Sequence, residues 1–189
     1  MEDLNSAVRK EGAIRGLLFG ITMLVVDILK IYYLAYLAKS PLTTFIVLYP
    51  LYYIILFGVA ILFVSGLRNK IGRYWNLKQA ITGIFIMLFI TSVIWNNGIS
   101  IFTAKINPRL AEKSHVAFVE TRKQAMLSSK TPAAKINEEI NNMNKTFAAG
   151  SQVTIAGFLR SLLISAILVF AVSTLLGILF RRDKPLQPQ

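Results

Sequence analysis

The sequence contains no cysteine and a single histidine. Without cysteine, the chain can form neither a disulfide nor a thiolate metal site, and it has no cysteine nucleophile. His115 lies in a polar stretch without a nearby second ligand, so we expect it to be solvated and not to bind a metal. The adjacent Glu138 and Glu139 would diverge around a helix, which favours an exposed acidic face over a paired-carboxylate site. We therefore predict that the protein is not an enzyme and that it uses no cofactor or metal.

Acidic residues are also few. The chain has 9 Asp and Glu against 21 Lys and Arg, which gives a net charge of +12. In a soluble protein this excess could indicate nucleic-acid binding, but no basic stripe here carries the interleaved aromatics that stack on bases. The basic residues instead flank apolar runs, where they would meet anionic lipid headgroups. We predict that the chain contacts the lipid bilayer and binds no nucleic acid.

Charged residues make up 16% of the chain and hydrophobic residues 54%, and the mean hydropathy is +0.56. Apolar runs at 13–38, 42–67, 80–102 and 153–180 each exceed the about 20 residues that cross a bilayer. The first run is too long for a signal-peptide core, so we expect it to remain as an anchor. The sequence thus predicts an all-α membrane protein, with one membrane domain over 1–189 and four transmembrane helices.

A polar segment at 105–152 separates the third and fourth predicted spans. Asn107-Pro108 and Thr131-Pro132 each place a capping residue before a proline, and Gly150 is a plausible stop, which predicts helices near 108–129 and 132–149. We expect an extramembrane helical hairpin inserted between helices three and four. Whether this pair caps the membrane bundle or lies flat on the bilayer is left open by its sequence.

Basic residues near the helix ends predict the orientation of the spans. Their density places both termini and the loop 68–78 in the cytoplasm, the segment 105–152 outside, and a disordered tail after the fourth helix. In the cytoplasmic loop, Tyr74 and Trp75 are typical of an interfacial aromatic anchor. In the second span, Pro50 removes an amide donor and predicts a kink or an unwound turn.

One face of the first apolar helix carries three glycines followed by two charged residues. Glycines spaced four apart, at Gly12, Gly16 and Gly20, would let the backbone of another helix come close. Asp27 and Lys30 continue the same face at membrane depth, where an ionisable group needs a polar partner or water. We therefore expect the whole stripe to face protein.

Polar residues of the first, third and fourth spans are predicted to share one layer in the outer leaflet, at the level of Tyr49 and Pro50 in the second span. These polar residues are Asp27, Lys30, Asn96, Asn97 and Arg160. One interpretation is a small water-accessible pocket for an ion, a lipid headgroup or a small ligand. The other is an ion-pair cluster that holds the bundle in register. In either case we expect Asp27 to pair with Arg160 or, failing that, with Lys30 one turn away.

The four spans, the tight first hairpin, the polar helical loop and the glycines at 12, 16 and 20 together resemble a known family. The pattern is similar to the domain-of-unknown-function family number 4199, small four-helix inner-membrane proteins widespread in Bacteroidota. The resemblance implies a fold and an inner-membrane location but no activity. We predict a non-catalytic scaffold or accessory subunit, acting as a homo-oligomer or in a larger membrane complex. A small transport or sensing module that uses the polar layer is the alternative.

Overall fold

The computed structural model describes residues 2–150 and 155–182. This part of the chain is helical and contains no named strand; its helices are α1 (Glu2–Tyr36), α2 (Pro41–Ile46), α3 (Tyr52–Lys70), α4 (Leu77–Ile101), α5 (Pro108–Ser128), α6 (Ala133–Gly150) and α7 (Ile155–Phe180). The predicted start of the fourth apolar run at 153 and the predicted tail after 182 lie outside the described residues.

Four helical segments are long and apolar enough to cross a membrane: Leu4–Tyr36, Pro41–Lys70, Leu77–Ile106 and Gly157–Phe180. The prediction of an all-α chain with four spans is confirmed. The outward faces of these segments carry large apolar side chains, and Leu62, Ile167 and Leu179 are each more than 70% exposed. Such faces are unfavourable in water but suit lipid.

The first helix begins at Glu2, well before the predicted start of the apolar run. Val8 explains the extension, because its side chain is 1% exposed and packs against α4 at Gly83. A side chain at Gly83 would overlap it, since an added Cβ would lie 2.9 Å from Cγ1 of Val8. Tertiary packing therefore stabilises helix in a segment whose polar composition gives little sign of it.

The second span departs from α-helical geometry around Pro50, as the sequence predicts. Residues Val47–Leu51 form a π-helical turn that joins α2 to α3 and contains Pro50. Proline cannot donate the usual amide hydrogen bond, and the wider turn accommodates its ring. A second π-helical turn, Phe102–Ile106, extends α4 toward the polar segment.

The described residues divide into two compact units. The first comprises those within 1–23, 56–96 and 156–189, and the second comprises those within 24–55 and 97–155. In the first unit, the ring of Phe19 stacks on that of Phe63 at 5.0 Å between centroids, and Val64, Leu67 and Met87 are fully buried. In the second, Ile31, Ala35 and Leu110 form a small core that Ile99 and Phe102 partly cover.

The Trp75 side chain is buried against protein, whereas its sequence context predicts an aromatic anchor in contact with the membrane interface. Its side chain is 1% exposed, and its indole Nε1 donates a hydrogen bond to the carbonyl oxygen of Phe180 at 2.7 Å. The backbones of Trp75 and Arg182 also pair, with N–O distances of 3.0 and 3.2 Å. The loop between α3 and α4, in which Gly72 has a φ of +95°, is therefore hydrogen-bonded to the end of α7.

Candidate functional site

The second unit holds a cluster of polar side chains at membrane depth, formed by Asp27 and Lys30 of α1 and Tyr52 of α3. The Lys30 ammonium donates to the Asp27 carboxylate. The Tyr52 side chain lies near the same carboxylate, close enough for an electrostatic interaction. Nζ of Lys30 also lies 4.2 Å from the centroid of the Tyr52 ring. Lys30 thus contacts both Asp27 and Tyr52.

Helix geometry brings this cluster together. Asp27, Ile31 and Ala35 are spaced four apart on α1 and are all buried, so the carboxylate lies on the face that packs against protein. Lys30 follows Asp27 by three residues, a spacing at which side chains on a helix meet. Tyr52 is the first residue after the π-helical turn that contains Pro50.

The cluster is electrically neutral as a salt bridge. The Asp27 side chain is 10% exposed and that of Lys30 is 26% exposed, so the carboxylate is more deeply covered than the ammonium. A lone charge at the bilayer centre costs about 2.5–3.5 kcal/mol on insertion scales, and pairing removes much of this cost. The aromatic face of Tyr52 further favours the cation. The arrangement can hold two helices together.

Asp27 pairs with Lys30, the second of the two partners proposed from the sequence. Arg160, the partner ranked first, is exposed and belongs to the first unit. A pair at i and i+3 is formed by the helix itself, whereas a pair with Arg160 would need a specific arrangement of two helices. Tyr52 was not proposed as a partner, although its position shortly after Pro50 and near the expected depth of the layer is a signal that could have indicated it.

The remaining residues of the predicted polar layer do not all lie in one unit. Asn97 is half-buried and belongs to the second unit, with Asp27 and Lys30. Asn96 is exposed and belongs to the first unit, as Arg160 does. The cluster around Asp27 is therefore the part of the layer whose contacts define a site.

The three glycines of α1 lie against α4 in the first unit. A Cβ added at Gly12 would approach the carbonyl oxygen of Gly83 to 2.9 Å. At Gly16 it would approach that of Met87 to 2.6 Å, and at Gly20 it would lie 2.9 Å from Cβ of Ile94. Real side chains essentially never make such contacts, so the absence of side chains here is what allows the two backbones to approach.

Two groups of contacts join α5 and α6. Arg122 Nε donates to Glu139 Oε1 at 2.7 Å, in a pair whose side chains are both partly exposed. His115 Nε2 lies within hydrogen-bonding distance, 2.9 Å, of Asn144 Oδ1, and its ring stacks on Phe147 at 4.1 Å. His115 is therefore not simply solvated, because it contacts α6. Glu138 is exposed, as the predicted acidic face requires, and Glu139 is partly exposed while it pairs with Arg122.

Within the described part of the chain, no group of three or more His, Cys, Asp or Glu side chains could hold a metal ion.

Comparison with known proteins gives one match. A family model described as "Protein of unknown function (DUF4199)" matches residues 15–182. No curated protein and no solved structure matches the chain.

Proposed function

We propose, from the premise that this chain belongs to the DUF4199 family of proteins of unknown function, that it is a non-catalytic scaffold or accessory subunit of a membrane complex. Its four apolar helices are those of a multi-pass membrane protein. We place it in the inner membrane, with both termini in the cytoplasm and 105–152 outside. It binds a partner protein or a second copy of itself, and no nucleic acid.

The observation that carries this proposal is an exposed face of α5. Val116 is 60% exposed and Leu127 is 57% exposed, although both are large apolar residues in a polar helix. They are separated by about three helical turns, so both point the same way. Exposed Glu120 and Lys123 lie between them on this side of the helix. Apolar residues set among charges are typical of a protein-binding surface.

The notable groups of α1, by contrast, are engaged within the chain. Gly12, Gly16 and Gly20 contact α4, and Asp27 is hydrogen-bonded to Lys30. A partner that needed the glycine stripe would have to displace a helix. This supports α5 and not α1 as the binding surface.

A photo-cross-linking residue at Val116 or Leu127, followed by purification in mild detergent, tests the proposal. We expect a discrete adduct with a partner or a second copy, and we expect the double variant Val116→Lys, Leu127→Lys to abolish co-purification. Asn141→Lys, which adds the same charge at an exposed position of α6, is the matched control and should leave co-purification intact. Cross-links to lipid alone at both positions would contradict the scaffold role.

The alternative is a transport or sensing module built on Asp27, Lys30 and Tyr52. It is favoured by the π-helical turn Val47–Leu51 directly before Tyr52, because such turns occur frequently at functional sites. Reconstitution in liposomes distinguishes the two functions. Ion or proton flux that is lost in Tyr52→Phe would support transport, and its absence together with a specific cross-link at α5 would support the scaffold.

A further inference from the structure

Arg15 of α1 and Arg68 of α3 share an unusual environment in the first unit. The Nε atom of each side chain is fully covered and has no hydrogen-bond partner in the described part of the chain. A guanidinium group carries five N–H donors, and a covered donor without a partner costs free energy. Because both Nε atoms are covered, an acceptor from outside the chain could reach only the terminal nitrogens of these two guanidinium groups.

Arg15 lies against α3 at Gly66. A Cβ added to Gly66 would overlap the Arg15 guanidinium, so the glycine provides the space that the guanidinium occupies. Although Glu11 lies one helical turn earlier on α1, no ion pair joins it to Arg15 in the described residues. The guanidinium is thus held next to a second helix without a carboxylate to neutralise it.

Arg68 follows Gly66 by two residues and lies in the last turn of α3. Its guanidinium carbon is 6.0 Å from the centroid of the Phe180 ring, at the outer limit of a cation–π contact. The carbonyl oxygen of Phe180 accepts the indole hydrogen bond of Trp75, and this contact fixes the end of α7 beside the loop. The surroundings of Arg68 are therefore rigid.

Both arginines lie near the same end of their spans. Arg15 is close to the start of the apolar run of α1, and Arg68 comes directly after that of α3, which runs in the opposite direction. This is the level at which lipid phosphates meet a transmembrane protein. The same end carries a large excess of basic residues, contributed by Arg9, Lys10, Lys70, Arg73, Lys78, Arg181 and Arg182.

We propose that Arg15 and Arg68 bind the phosphate of an anionic phospholipid headgroup at this end of the first unit. A phosphate offers several acceptor oxygens, and the planar fork of arginine can donate two hydrogen bonds to it. It supplies both acceptors for the terminal nitrogens and the missing negative charge. Gly66 is a positioning residue, because any side chain there would displace the Arg15 guanidinium.

The test uses the full-length protein in mild detergent, with native mass spectrometry and thermal unfolding as readouts. The probes are phosphatidylglycerol, phosphatidylcholine and inorganic phosphate. We expect phosphatidylglycerol to remain bound and to raise Tm, and phosphatidylcholine to do neither. Arg15→Gln and Arg68→Gln should each weaken phosphatidylglycerol binding by about tenfold, as expected for losing hydrogen bonds between charged groups.

Arg9→Gln is the matched control, because Arg9 is exposed near the same end and its removal changes the net charge equally. It should leave phosphatidylglycerol binding nearly unchanged. Arg15→Lys and Arg68→Lys keep the charge and replace the glutamine variants if those do not fold. Both lysine variants should bind phosphatidylglycerol more weakly than the wild type. A Tm increase with inorganic phosphate equal to that with phosphatidylglycerol would identify a soluble phosphate compound as the ligand and overturn the lipid assignment. Equal retention of phosphatidylcholine, or equal weakening by Arg9→Gln, would overturn the site itself.

Discussion

The hydroxyl of Thr91 on α4 lies 3.1 Å from the carbonyl oxygen of Gly16 on α1 and 2.8 Å from that of Met87 on its own helix. It can therefore donate a bifurcated hydrogen bond that joins the two helices. Thr91 is 4% exposed, so this polar contact is made inside the protein. It requires Gly16, since a side chain there would force the backbones apart.

We expect Gly16→Ile to lower the free energy of unfolding by about 1–3 kcal/mol or more, the usual cost of overpacking a close contact. Gly58→Ile is the matched control, because a Cβ at Gly58 meets nothing within 4 Å. Thermal unfolding in detergent measures both. Equal stability of the two variants would show that α1 and α4 are not closely packed at Gly16.

Breaking the ion pair of α1 should cost more than removing it entirely. Asp27→Asn and Lys30→Gln each leave one partly buried charge without its partner, and we expect each to destabilise by about 1–3 kcal/mol. The double variant should recover part of this loss. Arg160→Gln, at an exposed position, is the control and should have little effect. A double-mutant cycle without coupling would contradict the pairing of Asp27 with Lys30.

Tyr52→Phe tests the third member of the cluster. It removes the hydroxyl near Asp27 but keeps the ring beside Lys30, so we expect a loss of about 1 kcal/mol if the hydroxyl stabilises the carboxylate. Tyr49→Phe removes a hydroxyl from an exposed tyrosine on the preceding turn and should be neutral. Unfolding midpoints in detergent compare the two variants. If both were neutral, the Tyr52 hydroxyl would not stabilise the cluster.

The proposed orientation can be tested because the native chain has no cysteine. Single cysteines at Ser40 and Ser129 should react with an impermeant thiol reagent in intact cells. A cysteine at exposed Lys70 should react only after the membrane is opened. The reverse labelling pattern would invert the topology.

Helix boundaries in the polar segment were predicted well from local signals. Asn107 accepts a hydrogen bond from the amide of Leu110 at 3.1 Å, and Pro108 occupies the first turn, as the Asn-Pro pair indicates. The start of α1 was not predicted, because helix before Gly12 depends on the packing of Val8 against Gly83. The polar sequence around Val8 gives no local indication of this contact with a residue far along the chain.

The sequence by itself determined the four membrane spans, the family, and the glycines and charged residues that share one face of α1. The length of an apolar run and the spacing of residues on a helix can both be read from consecutive residues. Only the tertiary structure decided which groups meet. It brings α4 to Gly16, places the Tyr52 ring beside Lys30, and buries Trp75 against the end of α7. These contacts join residues far apart in the chain, and they are selected by how whole helices pack rather than by any local pattern.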